Sequence, residues 1–130
     1  MNRYDPDKEP NAAKWLALSE SERTDLVTEA HRRLRLDADA LILHSALHAV
    51  VETQLAMREP ASVSQAMERL LSQGLSRHDA VHAIASILAQ QLQAAGGSAV
   101  SPLTSLPRAY DEAVSALDGS QWLASHRGDG

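Results

Sequence analysis

Residues 40–57 read ALILHSALHAVVETQLAM, a run without Gly or Pro that stops shortly before Pro60. Ala and Leu lead the helix-propensity scale and proline ends what precedes it, so the run predicts one long helix. At about 100° per residue, Leu41, Leu43, Leu47, Val50, Val51 and Leu55 cover one broad face. His44 and His48 fall inside that face, Glu52 falls at its edge and Gln54 points inward. A surface helix places such groups on the opposite side. This helix therefore carries polar chemistry toward an apolar interior.

The flanking segments repeat the helical signal. Asp37 or Asp39 can cap the long helix. Upstream, Ser19-Glu20-Ser21-Glu22 is a capping-box pattern, and Leu26, Val27, Ala30 and Leu34 recur at helical spacing, which predicts a helix over about 20–35. Arg32, Arg33 and Arg35 load its last turn with positive charge. Before it, residues 1–11 read as an extended, charged lead-in, followed by a small apolar cluster of Trp15, Leu16 and Leu18. Downstream, Ser62 opens a shorter helix to about Gln73, with Gly74 at the position after its cap and Leu75 as the apolar contact that follows. Ser76-Arg77-His78-Asp79 is a second capping box and opens a helix to about Ala94, whose apolar face is Val81, Ile84, Ile87, Leu88 and Leu92. Gly96, Gly97 and Pro102 break that helix, and a further one is expected over 107–117 with Tyr110, Val114 and Leu117 as its stripe. Trp122 and Leu123 can dock a final turn. The expected fold is all-α, a small bundle of four main helices plus a C-terminal helix. Residues 1–94 form the bundle with its lead-in, 95–106 a linker, and 107–130 a C-terminal helix and tail packing on the same single domain.

Composition agrees and narrows the chemistry. The chain has 130 residues, 44% hydrophobic and 22% charged, but only 3% aromatic, so its core is aliphatic. Without cysteine there is no disulfide, thiolate nucleophile or Cys-type zinc site. A formal charge of −5 argues against a nucleic-acid partner. The polar N-terminus lacks a secretory h-region, and no apolar run approaches the ~20 residues of a membrane span. The cytoplasm is the default location, and a homodimer or another protein is the expected kind of partner. No phosphate-binding Gly loop, nucleophile elbow or H-E-x-x-H pattern is present.

Histidine is the conspicuous residue, with six copies. His44 and His48 lie four apart on the second main helix, and His78 and His82 lie four apart on the fourth. An i, i+4 pair shares one helix face, so two imidazoles can converge on one cation. On the fourth helix, His78 and His82 share a flank with Ala85 and Ala89, small neighbours that let another helix approach. Burying imidazoles and a carboxylate is costly unless they are paired or metal-bound. The expected site is one divalent metal ion between these two helices, with His48, Glu52, His78 and His82 as ligands. His44, Gln54 and Asp79 are additional or supporting candidates. Zinc, iron, nickel and manganese are not distinguished by this donor set. His31, at the edge of the first helix's stripe, reads as a surface or packing residue, and His126 lies in the tail.

The segments Leu43–Gln54 and Gly74–Ile84 together resemble an uncharacterised bacterial family of small helical proteins, a domain of unknown function. The shared pattern is H-x3-H-x3-E-x-Q followed by R-H-[DE]-x2-H. Tyr4-Asp5-Pro6-Asp7 and Trp15-Leu16-Ala17-Leu18 resemble its lead-in. The resemblance implies that His48, Glu52, His78, Asp79 and His82 act as one unit, and it implies no activity. Hemerythrin-like bundles are matched in order by His31, His48/Glu52 and His78/His82, without the later H-x4-D. DinB-like bundles are matched by His48 with His78 and His82. HD-type phosphohydrolases are matched by His44, His78-Asp79 and either Asp111 or Asp118, but here the doublet opens a helix. The hemerythrin-like and HD-type patterns are incomplete or altered here, and the chain is short, with different loops, for a DinB-like bundle. The alternative to a metal protein is a non-catalytic interaction module whose buried His/Glu/Gln network is structural. The sequence leaves open whether the protein is an enzyme.

Overall fold

A computed structural model describes residues 1, 3–32, 37–94 and 108–125. Every regular element in them is an α-helix: α1 (Ala12–Leu16), α2 (Glu20–Ala30), α3 (Ala38–Met57), α4 (Ala61–Ser72), α5 (Arg77–Ala94), α6 (Arg108–Ser115) and α7 (Gly119–Ser125). The all-α expectation holds. The four main predicted helices are α2 to α5 and the predicted C-terminal helix is α6, with α1 and α7 as short additions. The predicted linker at 95–106, the last predicted residues of α2 at 33–35 and the tail from 126 lie outside the described residues.

The helix ends follow local chemistry. Ser19 and Glu22 form the reciprocal capping box of α2. Asp37, rather than Asp39, caps α3 by accepting from the Ala40 amide. Gly74, at φ 97°, lets α4 end in a Schellman turn: the Leu75 amide donates to the Leu70 carbonyl and the Gly74 amide to the Leu71 carbonyl. α2 ends earlier than its spacing predicts, with His31 as its C-cap.

α3 is the central helix, packing against α1, α2, α4 and α5. Its stretch Asp39–Met57 is long and apolar enough, at mean hydropathy 1.2, to cross a membrane by length and composition alone. One helix that passes this test is weak evidence of a span. Its packing explains the composition instead, because a helix flanked on several sides must be apolar on several sides. The predicted face is correct for Val51 but not for Leu43, which is 60% exposed near the start of the helix. Glu52 is fully buried rather than placed at an edge.

Two apolar clusters flank α3. One gathers Val51, Val63, Leu70, Val81, Ile84, Leu88, Tyr110 and Val114 from α3, α4, α5 and α6. The other gathers Tyr4, Trp15, Val27 and Ala49. Trp15 is wholly buried, and its indole Nε1 donates to Thr53 Oγ1 at 3.1 Å. Arg69 ties α6 to α4 by donating to the Val114 and Leu117 carbonyls at 2.9 and 3.0 Å. α7 starts at Gly119, whose amide donates to Gln73 Oε1 at 2.6 Å. A Cβ there would lie 2.7 Å from both that oxygen and Leu75 Cδ1. Gly119→Ala is therefore expected to lower unfolding free energy by about 1–3 kcal/mol in urea titrations, as overpacked sites do.

Candidate metal centre

Five imidazoles meet where the end of α2, the middle of α3 and the start of α5 converge. His31 comes from the C-cap of α2, His44 and His48 from successive turns of α3, and His78 and His82 from successive turns of α5. His48 stands in the middle. Its ring centroid lies 4.3 Å from that of His44, 4.9 Å from His31, 5.6 Å from His82 and 5.7 Å from His78. Two triads have ligand-type nitrogens all within 4.8 Å of one another: His31, His48 and His78, and His44, His48 and His82. His48 belongs to both, and buried triads of this kind can hold a metal ion.

Hydrogen bonding sets the tautomers. His31 Nδ1 lies 2.8 Å from the Val27 carbonyl oxygen. A carbonyl only accepts, so neutral His31 carries its proton on Nδ1 and directs the Nε2 lone pair into the cluster. His78 Nε2 lies 3.0 Å from that lone pair and is the donor of the pair. His48 is 1% exposed, and neither of its ring nitrogens makes a hydrogen bond among the described residues. Leaving a buried polar atom unsatisfied costs about 1–3 kcal/mol.

The same burial keeps His31, His44 and His48 neutral. Burial, reinforced by the neighbouring imidazoles, pushes the His48 pKa down to about 2. Burial likewise takes His44 down to about 4, with His31, His82 and His78 adding to the effect. Burial also lowers His31, outweighing the opposing pull of the Val27 carbonyl. Neutral imidazole is the form that ligates metals.

Of the expected ligands, the structure brings His48, His78 and His82 together, adds His44 from the supporting candidates, and sets Glu52 apart. Glu52 sits one turn beyond His48 and belongs to neither triad. Its oxygens accept from Arg77 Nη1 at 2.5 Å and Nη2 at 2.7 Å, and the Tyr4 hydroxyl donates to Oε2 as well. Burial and the Glu52 charge raise the Tyr4 pKa, keeping the phenol protonated as a donor. Burial disfavours the Arg77 cation, but the hydrogen bonds and charge of Glu52 more than offset it and raise its pKa. Gln54 turns to α6, where its Oε1 accepts from the Tyr110 hydroxyl at 2.8 Å. Asp79 is exposed, and its amide donates to Ser76 Oγ at 3.1 Å, so it opens α5. His126 lies outside the described residues.

Sequence reasoning missed His31, which is 2% exposed and in the centre of the chemistry. Its signal was available: it follows buried Val27 by one helical turn. The role of Tyr4 and Arg77 was also missed, although both stand in the segments that carried the family resemblance. The charged lead-in is docked, not merely extended. The Pro6 carbonyl accepts from Arg77 at 3.4 Å, and Asp7 Oδ1 accepts from the His78 amide at 3.2 Å. Ala85 and Ala89 do not serve close helix approach alone. With Leu47 and Ser86 they line a cavity of about 120 Å³ bounded by His44, His48 and His82.

The family described as a domain of unknown function, DUF1841, matches residues 36–104, just over half of the chain. The chain belongs to that family. The family span holds His44, His48, Glu52, Arg77, His78 and His82, while His31 and Tyr4 precede it. No curated protein and no solved structure gives a match.

Two outcomes follow from this geometry. In the unfolded chain His31, His44 and His48 titrate near the usual value of about 6.5, whereas in the fold all three titrate lower. The unfolded chain therefore binds more protons below about pH 6.5, and stability must fall with pH there. The urea midpoint of metal-free protein is expected to be flat above that pH and to decline steadily below it, less so in His48→Leu. Separately, Glu52→Ala strands the buried Arg77 charge and is expected to cost about 3–5 kcal/mol. Elemental analysis of its folded fraction is expected to show metal retained but more readily lost to a chelator, because neither histidine triad includes the carboxylate that braces them.

Proposed function

We propose that this protein binds a divalent transition-metal ion through His31, His48 and His78. The observation that carries this reading is His48, a fully buried imidazole with two unsatisfied nitrogens, surrounded by four further imidazoles. A cation would satisfy one of those nitrogens, which no side chain among the described residues does. His31 supports the reading because its Nδ1–H bond to a backbone carbonyl is the outer contact that orients metal-ligating histidines and frees Nε2. Relative to the set expected from sequence, His31 replaces Glu52. An all-nitrogen set suits zinc, copper, nickel or ferrous iron better than manganese, magnesium or calcium.

The alternative of a structural polar network has its own support at two places. Glu52 with Arg77 and Tyr4, and Gln54 Oε1 with Tyr110, satisfy one another without any ion. These groups fix α3 against the lead-in, α5 and α6. His48 lacks such closure, and the metal reading is centred on it.

Purified, tag-free protein is expected to contain at least one equivalent of a first-row metal by elemental analysis, and His48→Ala to contain none. Metal at a hundredfold excess over its dissociation constant is expected to add about 2.7 kcal/mol of stability, which chelation removes. A metal-free protein whose melting curve ignores added zinc, copper and nickel alike would sink the reading.

A further inference from the structure

The second triad is unlike the first. His31, His48 and His78 lie beside the docked lead-in, where Asp7 holds the His78 amide. His44, His48 and His82 instead border the cavity of about 120 Å³ walled by Leu47, Ala85, Ser86 and Ala89. We propose that His44, His48 and His82 form a second metal position, open on the cavity side to a small exogenous ligand. This inference rests on the metal reading of the cluster.

Three observations carry it. The triads share His48 and nothing else, and an imidazole has two nitrogens, both of which lack a hydrogen bond in this ring. One nitrogen can therefore serve each position. Filling both displaces the single N–H proton of neutral His48 to solvent, leaving an imidazolate with one nitrogen on each ion. The cavity then supplies what a fully protein-ligated ion lacks. At about 30 Å³ per water, its volume holds about four water-sized groups, room for a ligand of three or four heavy atoms. Its walls give such a ligand little other polar anchorage. Leu47, Ala85 and Ala89 are apolar, and Ser86 donates its hydroxyl proton to the His82 carbonyl at 2.9 Å. The ion itself is thus the main anchor, and the ligand class is a small neutral molecule or monoanion, with azide as a usable probe. The alanines have a second role in this arrangement, because any larger side chain there would occupy the ligand's space.

Cobalt(II) reports both occupancy and ligand change. Apo-protein is loaded with cobalt, bound cobalt per chain is counted, and the visible spectrum is followed during azide addition. The expected result is two ions per chain and an azide-dependent spectral change. His44→Ala is expected to retain one ion and lose the azide response, whereas His31→Ala retains one ion and keeps it. Ala89→Leu, checked for an unaltered melting curve, is expected to keep two ions and lose the response by filling the cavity. One ion in the parent protein that persists in His44→Ala would overturn the second position while leaving the first intact. Two ions with a spectrum indifferent to azide would overturn the open side. No bound cobalt, zinc, copper or nickel at all would remove the metal reading itself, a result separable from the other two.

Discussion

The ion pair between Arg77 and Glu52 holds the arrangement together. Both of its nitrogen–oxygen contacts are short, and the Glu52 side chain is fully excluded from solvent. Charges buried this deeply are tolerated only when paired in good geometry and supplied with further hydrogen bonds. Tyr4 and the Pro6 carbonyl supply them here. The pair fixes the start of α5 against the middle of α3, and its auxiliary contacts fix the lead-in across both. Because His48 lies one turn before Glu52, and His78 follows Arg77 directly, this bond also sets which histidines face each other. The carboxylate that reads as a candidate ligand in the sequence is in the fold the brace that aligns the histidines.

Much of this was legible in the sequence. The α3 run, the Ser19 box, Gly74 at the end of α4 and the Ser76 cap are local events, governed by residues within one turn of each other, and they appear as the spacing predicts. The two i, i+4 histidine pairs do face a common space. What the sequence did not disclose is long-range. Glu52 and Arg77 are 25 positions apart, and Tyr4 is 48 from Glu52. Nothing local distinguishes a carboxylate that meets a guanidinium from one that meets a cation. His31 was misjudged for a related reason. The spacing extends the helix to residue 35 and makes His31 one more position on a stripe, whereas His31 is the C-cap of α2 and its ring is buried.

The interior divides its polar groups into two kinds. Those on Glu52, Arg77, Tyr4 and Thr53 meet one another or the backbone. Those on His48 do not. Ser45 Oγ and Gln54 Nε2 are also buried without a partner among the described residues, but His48 is the ring with both nitrogens unmet. Apolar packing flanks that ring on either side, from the Val51–Ile84 cluster and the Trp15–Val27 cluster.

The way α2 ends has an electrostatic consequence. A helix carries about half a negative elementary charge at its carboxyl end, held on carbonyls without partners in the next turn. α2 terminates at His31 with no basic residue in its own last turn to offset that charge. At α5 the opposite, positive end meets acceptors: Asp7 on the His78 amide and Ser76 on the Asp79 amide. The backbone thus presents its negative pole to the imidazoles and has its positive pole shielded. Imidazoles bring no negative charge of their own, so the macrodipole of α2 would supply part of the countercharge to any cation held there.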